Sequence, residues 1–285
     1  MYKAWKTFQP YLLATPQTLI FLMFLVFPIT MILIVSFWEF NGYAMTPAFS
    51  FANYVNVFSS KVSLSTYLNT FKYVVLVWSA CVAIALPIAY YLAFCIERDS
   101  VRILLFLICT IPFWTSNIIR MISWIPLLGR GGLVNQALLT VGLVQEPVEW
   151  LLYSDFAIVL GMVHLFNFFM IAPVFNSMMR IDRSLITAAR DMGASGFEVL
   201  KEIILPLTAP GLAIGTIFVV TLTMGEYVTV RLMGGGQSAS VGKLISTQIG
   251  SLQYPLAAAN AVILLLITLV LVAGILLVVD IRKEL

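Results

Sequence analysis

The sequence predicts an all-α polytopic membrane protein with six transmembrane helices, both termini cytoplasmic, and a helix-turn-helix between helices 4 and 5. Three observations predict it. Of 285 residues, 61% are apolar and only 10% charged, with a mean hydropathy of +1.01. A soluble domain carries about 25% charged residues, so this chain must be solvated by lipid. Six long intervals between charged residues are uncharged and apolar. The cations separating them fall mainly on one side of a six-span chain. With 16 Lys+Arg against 13 Asp+Glu there is no basic face for nucleic acid. Cys81, Cys95 and Cys109 lie in apolar runs without a metal or redox spacing and read as inert packing groups.

A helix needs about 20 apolar residues to cross the hydrocarbon core. The uncharged intervals enclose about 32 residues after Lys6, 24 after Lys72 and 17 after Arg102. They enclose about 24 after Asp155, 23 after Glu202 and 36 after Lys243. Each holds one crossing, which places spans at 14–37, 69–95, 103–125, 156–179, 204–226 and 256–279 of a single domain, 1–285. The first follows Lys3 and Lys6, but its apolar run exceeds the ~7–15 residues of a signal peptide and no small-x-small site follows, so it reads as an uncleaved span. Residues 38–66 then form a loop whose only charges are Glu39 and Lys61. The stretch 127–155 reads as a short surface helix with turns.

Six spans return the chain to its starting side. With cytoplasmic termini, the inner loops hold Lys3, Lys6, Arg98, Arg102, Arg180, Arg183, Arg190, Lys201, Arg282 and Lys283. The outer loops hold only Lys61, Arg130, Arg231 and Lys243, which satisfies the positive-inside rule. Lys72 and Arg120 fall within spans, Lys72 close enough to the outer end to reach the headgroups.

The loop joining spans four and five, 182–205, has a pattern of its own. Leu185, Ala188, Ala189 and Met192 follow i, i+3, i+4, i+7, one stripe of a short helix. Gly193 suits a left-handed stop because it lacks a Cβ. Ser195 and Glu198 form a capping box that starts a second helix, running toward Pro206 at the first turn of the next span. Chemistry alone leaves two readings. Such an element lies in the headgroups with Arg183 and Arg190 on lipid phosphate, or it docks a cytoplasmic partner; its small apolar residues suit a protein groove better than a lipid anchor.

The run TAARDMG…IILP resembles the EAA loop of permease subunits of binding-protein-dependent ABC importers, the MetI-like superfamily, whose pattern is EAA-x3-G-x9-I-x-LP. Ala188, Ala189, Gly193, Ile203, Leu205 and Pro206 fall on that pattern, with Thr187 where the family has Glu. Residues 112–138 and 224–235 are similar to the third and fifth span regions of spermidine/putrescine-type permeases. The resemblance implies a permease subunit in the bacterial inner membrane that is not an enzyme and binds no cofactor, ATP and magnesium belonging to two separate ATP-binding cassette subunits. It implies further partners: a second homologous permease chain and a periplasmic substrate-binding protein. The solute implied is a polyamine-type cation, or another small substrate such as an opine, an amino acid derivative or an aminophosphonate.

Ionisable groups at bilayer depth are costly and mark sites by default. Glu226 beside Tyr227 at the end of the fifth span offers a carboxylate and an aromatic face to a passing ammonium; pairing with Arg120, or hydration at the interface, is the plainer role. Trp114, Asn117 and Arg120 in the third span complete the candidate path, although Arg120 by itself repels a polyamine. His164 reads as hydrogen-bonded between helices. The stretch 236–244 imitates a phosphate loop but has five residues between its glycines and Leu244 where Ser/Thr is required. A stand-alone transporter with a proton on Glu226 or His164 is the competing class; it gives no reason for the patterned loop. An intramembrane enzyme lacks any catalytic cluster.

Overall fold

In lipid a backbone N–H has no water to bond, so the apolar intervals close their hydrogen bonds internally as helices. In the computed structural model, which describes residues 15–279, they do so. Lys3, Lys6, Arg282 and Lys283, on which the charge bias partly rests, lie outside the described residues. The elements are α1 (Thr15–Val35), β1 (Glu39–Phe40), β2 (Met45–Thr46), α2 (Ala52–Ser59) and α3 (Lys61–Cys95). There follow α4 (Asp99–Thr110), α5 (Asn117–Leu128), α6 (Leu133–Thr140), α7 (Asp155–Met179) and α8 (Arg183–Asp191). Last come α9 (Gly196–Gly225), α10 (Val228–Met233), α11 (Val241–Gly250) and α12 (Tyr254–Val278). Among the described residues, five helices are long and apolar enough to cross a bilayer, six if the bent α4–α5 pair is one crossing.

The third span departs from a single helix over 103–125. Pro112 supplies no N–H and its ring excludes a helical carbonyl, so α4 tightens into a 3-10 turn at Ile111–Trp114. Thr115 is extended, and α5 restarts at Asn117 with the axis bent by 91°. The fifth span departs in the other direction. It does not begin near 204: one 30-residue helix runs from Gly196 to Gly225, absorbing Pro206 behind a π turn at Leu200–Ile204. The loop before α3 is also more ordered than its composition suggests, with an antiparallel hairpin pairing Glu39 with Thr46 and then α2.

The described residues form two compact units, 15–64 with 244–265, and 65–243 with 266–279. In the first, Asn53 Nδ2 donates to the carbonyls of Ser36 and Trp38 at 2.9 and 2.8 Å, and Phe37 stacks on Phe49 at 4.9 Å. No residue of α1 is buried within the chain. A helix this apolar needs no such cover in lipid.

In the second unit α7 and α9 pack most closely, because two glycines remove the side chains between them. A Cβ on Gly211 would lie 2.5 Å from Pro173 O, and one on Gly215 2.6 Å from Met170 Sδ. This four-residue spacing of small residues lets membrane helices reach backbone contact. Val77, Cys81, Ala85 and Ala89, at every fourth position of α3, are fully buried in the same core. Trp78 Nε1 donates to Thr216 Oγ1 at 3.0 Å, tying α3 to α9.

Candidate functional site

The patterned loop folds as two short arms about a tight turn. Asp182 starts α8 by accepting the Ser184 N–H at 2.9 Å, which also holds its carboxyl below the usual carboxylate range. Gly193, at φ +91°, ends it: its N–H reaches Arg190 O at 2.9 Å and the Ala194 N–H reaches Ala189 O at 3.0 Å. That pair of bonds satisfies two carbonyls otherwise left open at a helix end. Ser195 Oγ then accepts the Glu198 N–H at 3.3 Å while Glu198 Oε2 accepts the Ser195 N–H at 2.7 Å. Because α9 is unbroken, the second arm of the elbow is the end of the fifth membrane helix itself.

The stripe Leu185, Ala188, Ala189, Met192 is covered at one position only. Ala189 is buried, whereas Ala188 is exposed, Leu185 is 48% exposed, Met192 83% and, on the second arm, Phe197 72%. Of the other motif positions, Thr187 is exposed and bonds Arg183 O, and Ile203 and Leu205 are half-buried along α9 ahead of exposed Pro206. Arg183 is not turned to lipid phosphate. Its Nη2 donates to Ala93 O at 3.0 Å, at the end of α3. Arg102 serves the same end, with Nε on Leu92 O and Nη2 on Ile96 O. Both cations meet carbonyls that the helix leaves unsatisfied at its negative pole.

The candidate path residues are only partly brought together. Arg120 Nη2 donates to Asn117 Oδ1 at 3.1 Å, but its Nε and Nη1 are buried without a hydrogen-bond partner and it does not pair with Glu226. Glu226, 9% exposed, accepts the Thr229 N–H at 2.8 Å and so starts α10. Tyr227 beside it is 41% exposed, and Trp114 stands 81% exposed on the 3-10 turn before the bend. His164 Nδ1 accepts the Trp124 indole N–H at 3.0 Å, a link between α5 and α7.

Sequence reasoning missed the role of Asp155. Its carboxylate accepts Lys72 Nζ and the Tyr73 hydroxyl, each at 2.5 Å, and Ser238 Oγ at 2.8 Å. Lys72 therefore pairs across helices instead of reaching the headgroups. Nearby, the Val241 N–H donates to Thr70 Oγ1 at 2.9 Å and Ser240 Oγ to Glu226 O at 2.9 Å. A signal was present: Lys72 and Asp155 each open an uncharged interval on the same side of a six-span chain, at matching depth and with opposite sign.

The sequence profile of the family described as "Binding-protein-dependent transport system inner membrane component" matches residues 85–282. The spermidine/putrescine transport system permease protein PotB of Salmonella typhimurium (strain SL1344) is 33% identical over 199 residues, 70% of this chain and 67% of that one. PotB of Escherichia coli (strain K12) is 33% identical over 201 residues, 70% of each chain. In fold the chain is similar to a chain of a bacterial ABC transporter involved in the import of the acidic polysaccharide alginate. That likeness has a TM-score of 0.74 at 18% identity and covers 96% of both chains.

Proposed function

The chain belongs to the binding-protein-dependent transport system inner membrane components and is a permease subunit of an ABC importer, and we propose that its α8–turn–α9 elbow is the face gripped by the ATP-hydrolysing subunit. The observation that carries this reading is an apolar face left open on a rigidly capped elbow. Leu185, Met192 and Phe197 present large side chains outward, although Asp182, Gly193 and Ser195 hold the backbone firmly. Exposed apolar groups on a fixed scaffold mark a contact with another protein or with lipid, and membership of the importer family favours the protein. Continuity of α9 from Gly196 to Gly225 joins the elbow directly to a membrane helix, so a push on the one is carried to the other.

In this reading both termini and the elbow are cytoplasmic, and 182–205 is the EAA loop. Two ATP-binding cassette subunits hold ATP and magnesium, and this chain has no ATPase site of its own. A second homologous permease completes the path, and a periplasmic binding protein delivers the solute. Closure of the ATPase pair stabilises one of two arrangements of the helices, and release restores the other. A Met192→Cys chain crosslinks to the ATPase subunit in membranes. An elbow that forms no such product at any stage of turnover removes this role.

The solute class proposed is a polyamine-type cation, supported by the names of the relatives and by the Glu226–Tyr227 pairing of a carboxylate with an aromatic ring. Glu226→Gln keeps an oxygen to accept the Thr229 N–H but removes the charge. Uptake of a radiolabelled polyamine into proteoliposomes of the whole complex therefore falls several-fold, while the thermal midpoint stays near wild type. Unchanged uptake takes Glu226 out of the path, and uptake of a zwitterion instead of a polyamine replaces the solute class.

A further inference from the structure

We propose that Asp155 is the positioning residue of a clasp that is made in this state of the transport cycle and broken in the other. The proposal rests on the importer reading above and adds the place where the two states differ. Three chain segments meet on one carboxylate. Lys72 and Tyr73 come from α3, Asp155 opens α7, and Ser238 lies in the turn between α10 and α11. Lys243 Nζ donates to Ser238 O at 2.8 Å, adding a second cation to the same turn. Lys72 and Asp155 are fixed to different helices, so a movement of α3 against α7 larger than the Lys72 side chain can follow separates them.

Two features show a junction built to open. The Lys72 and Asp155 side chains are 49% and 41% exposed, so water is at hand to take over each charge on separation, which a buried pair would not allow. The backbone beside the carboxylate is also strained. Tyr153 is held at φ +57°, a conformation a bulky residue rarely adopts, and Gly235 at φ +55° lies so close that a Cβ there would sit 2.6 Å from Tyr153 Cβ. Strain of this kind persists only where the surrounding structure imposes it, and here it lies two residues from Asp155.

The clasp is connected to the elbow by a single element. α3 carries Thr70, Lys72 and Tyr73 at one end and, at the other, the Ala93 carbonyl that receives Arg183 of α8. A displacement of α8 thus acts on the helix that holds the cationic half of the clasp. Such a shared two-state element is the physical requirement for coupling between distant sites.

The test uses the full complex of both permeases and the ATPase subunits in nanodiscs, with ATP hydrolysis measured in the absence of binding protein. Asp155→Asn raises that basal rate about fivefold or more, the lower end of ordinary coupling between sites. The Lys72→Asp/Asp155→Lys double variant brings it back toward wild type, and Lys72→Asp alone does not. A wild-type basal rate in Asp155→Asn, with only a lowered thermal midpoint, means a static staple and overturns the proposal. If Asp155→Asn does not fold, Ser238→Ala removes one donor and keeps the ion pair. It gives a smaller rise in the same assay, and a wild-type rate there overturns the proposal equally. A wild-type chain that recruits no ATPase overturns the importer reading first, and the clasp with it.

Discussion

Gly193→Pro inserts and folds but cuts solute uptake at least about tenfold while ATP hydrolysis continues. Gly193 sits at φ +91°, and proline is locked near −65°, so the turn cannot keep its path. The substitution also removes the N–H that Gly193 gives to Arg190 O. Together these cost about 3 kcal/mol locally, enough to melt the end of α8 and detach its apolar face from the start of α9. The membrane helices are spared, because Gly193 is exposed and nothing in them packs on it. Gly193→Asn is the control: asparagine tolerates the left-handed conformation and keeps its N–H, so uptake stays near wild type. Uptake and ATP hydrolysis measured side by side in proteoliposomes check both. Normal uptake in the proline variant would falsify the elbow's role in coupling.

Gly211→Val lowers the thermal midpoint in detergent by roughly 5–10 °C, the shift that ~3 kcal/mol gives in a chain of this size. The reason is backbone against backbone. The new Cβ would fall 2.5 Å from Pro173 O and 2.6 Å from Ser177 Cβ, and neither is the far end of a flexible side chain. Overpacking of about 1–3 kcal/mol results even where neighbours relax, and a branched side chain adds to it. Gly274→Val on α12 is the matched control, since a Cβ there meets nothing within 4 Å. Equal midpoints for the two variants would show that α7 and α9 do not depend on their close approach.

The elbow was the most legible part of the chain. Gly193, Ser195 and Glu198 act on backbone atoms at most four residues away, so identity and spacing were enough to anticipate the stop and the capping box. The direction of the apolar stripe was not legible. Leu185, Ala188 and Met192 share a helix face with Ala189 in projection, but which edge of that face is covered depends on how the elbow packs, with Arg183 seated on Ala93 and Ala189 in the core. Proline was read unevenly for a related reason. Pro112 and Pro206 each lack the same N–H, but one ends a helix and the other passes through a π turn. The packing around each proline decides between those outcomes.

Lipid solvation, helical class and the approximate number of crossings were determined by composition and by the length of the uncharged intervals. Those properties depend on transfer from water and on bonds within a segment, and both are local. Tertiary structure alone decided that Asp155 gathers three donors from two other segments, that Glu226 starts α10 instead of pairing with Arg120, and that α9 carries the elbow without a break. Each of these depends on which side chains meet across helices, and polar groups in a low-dielectric interior bond to whatever partner the packing brings within reach.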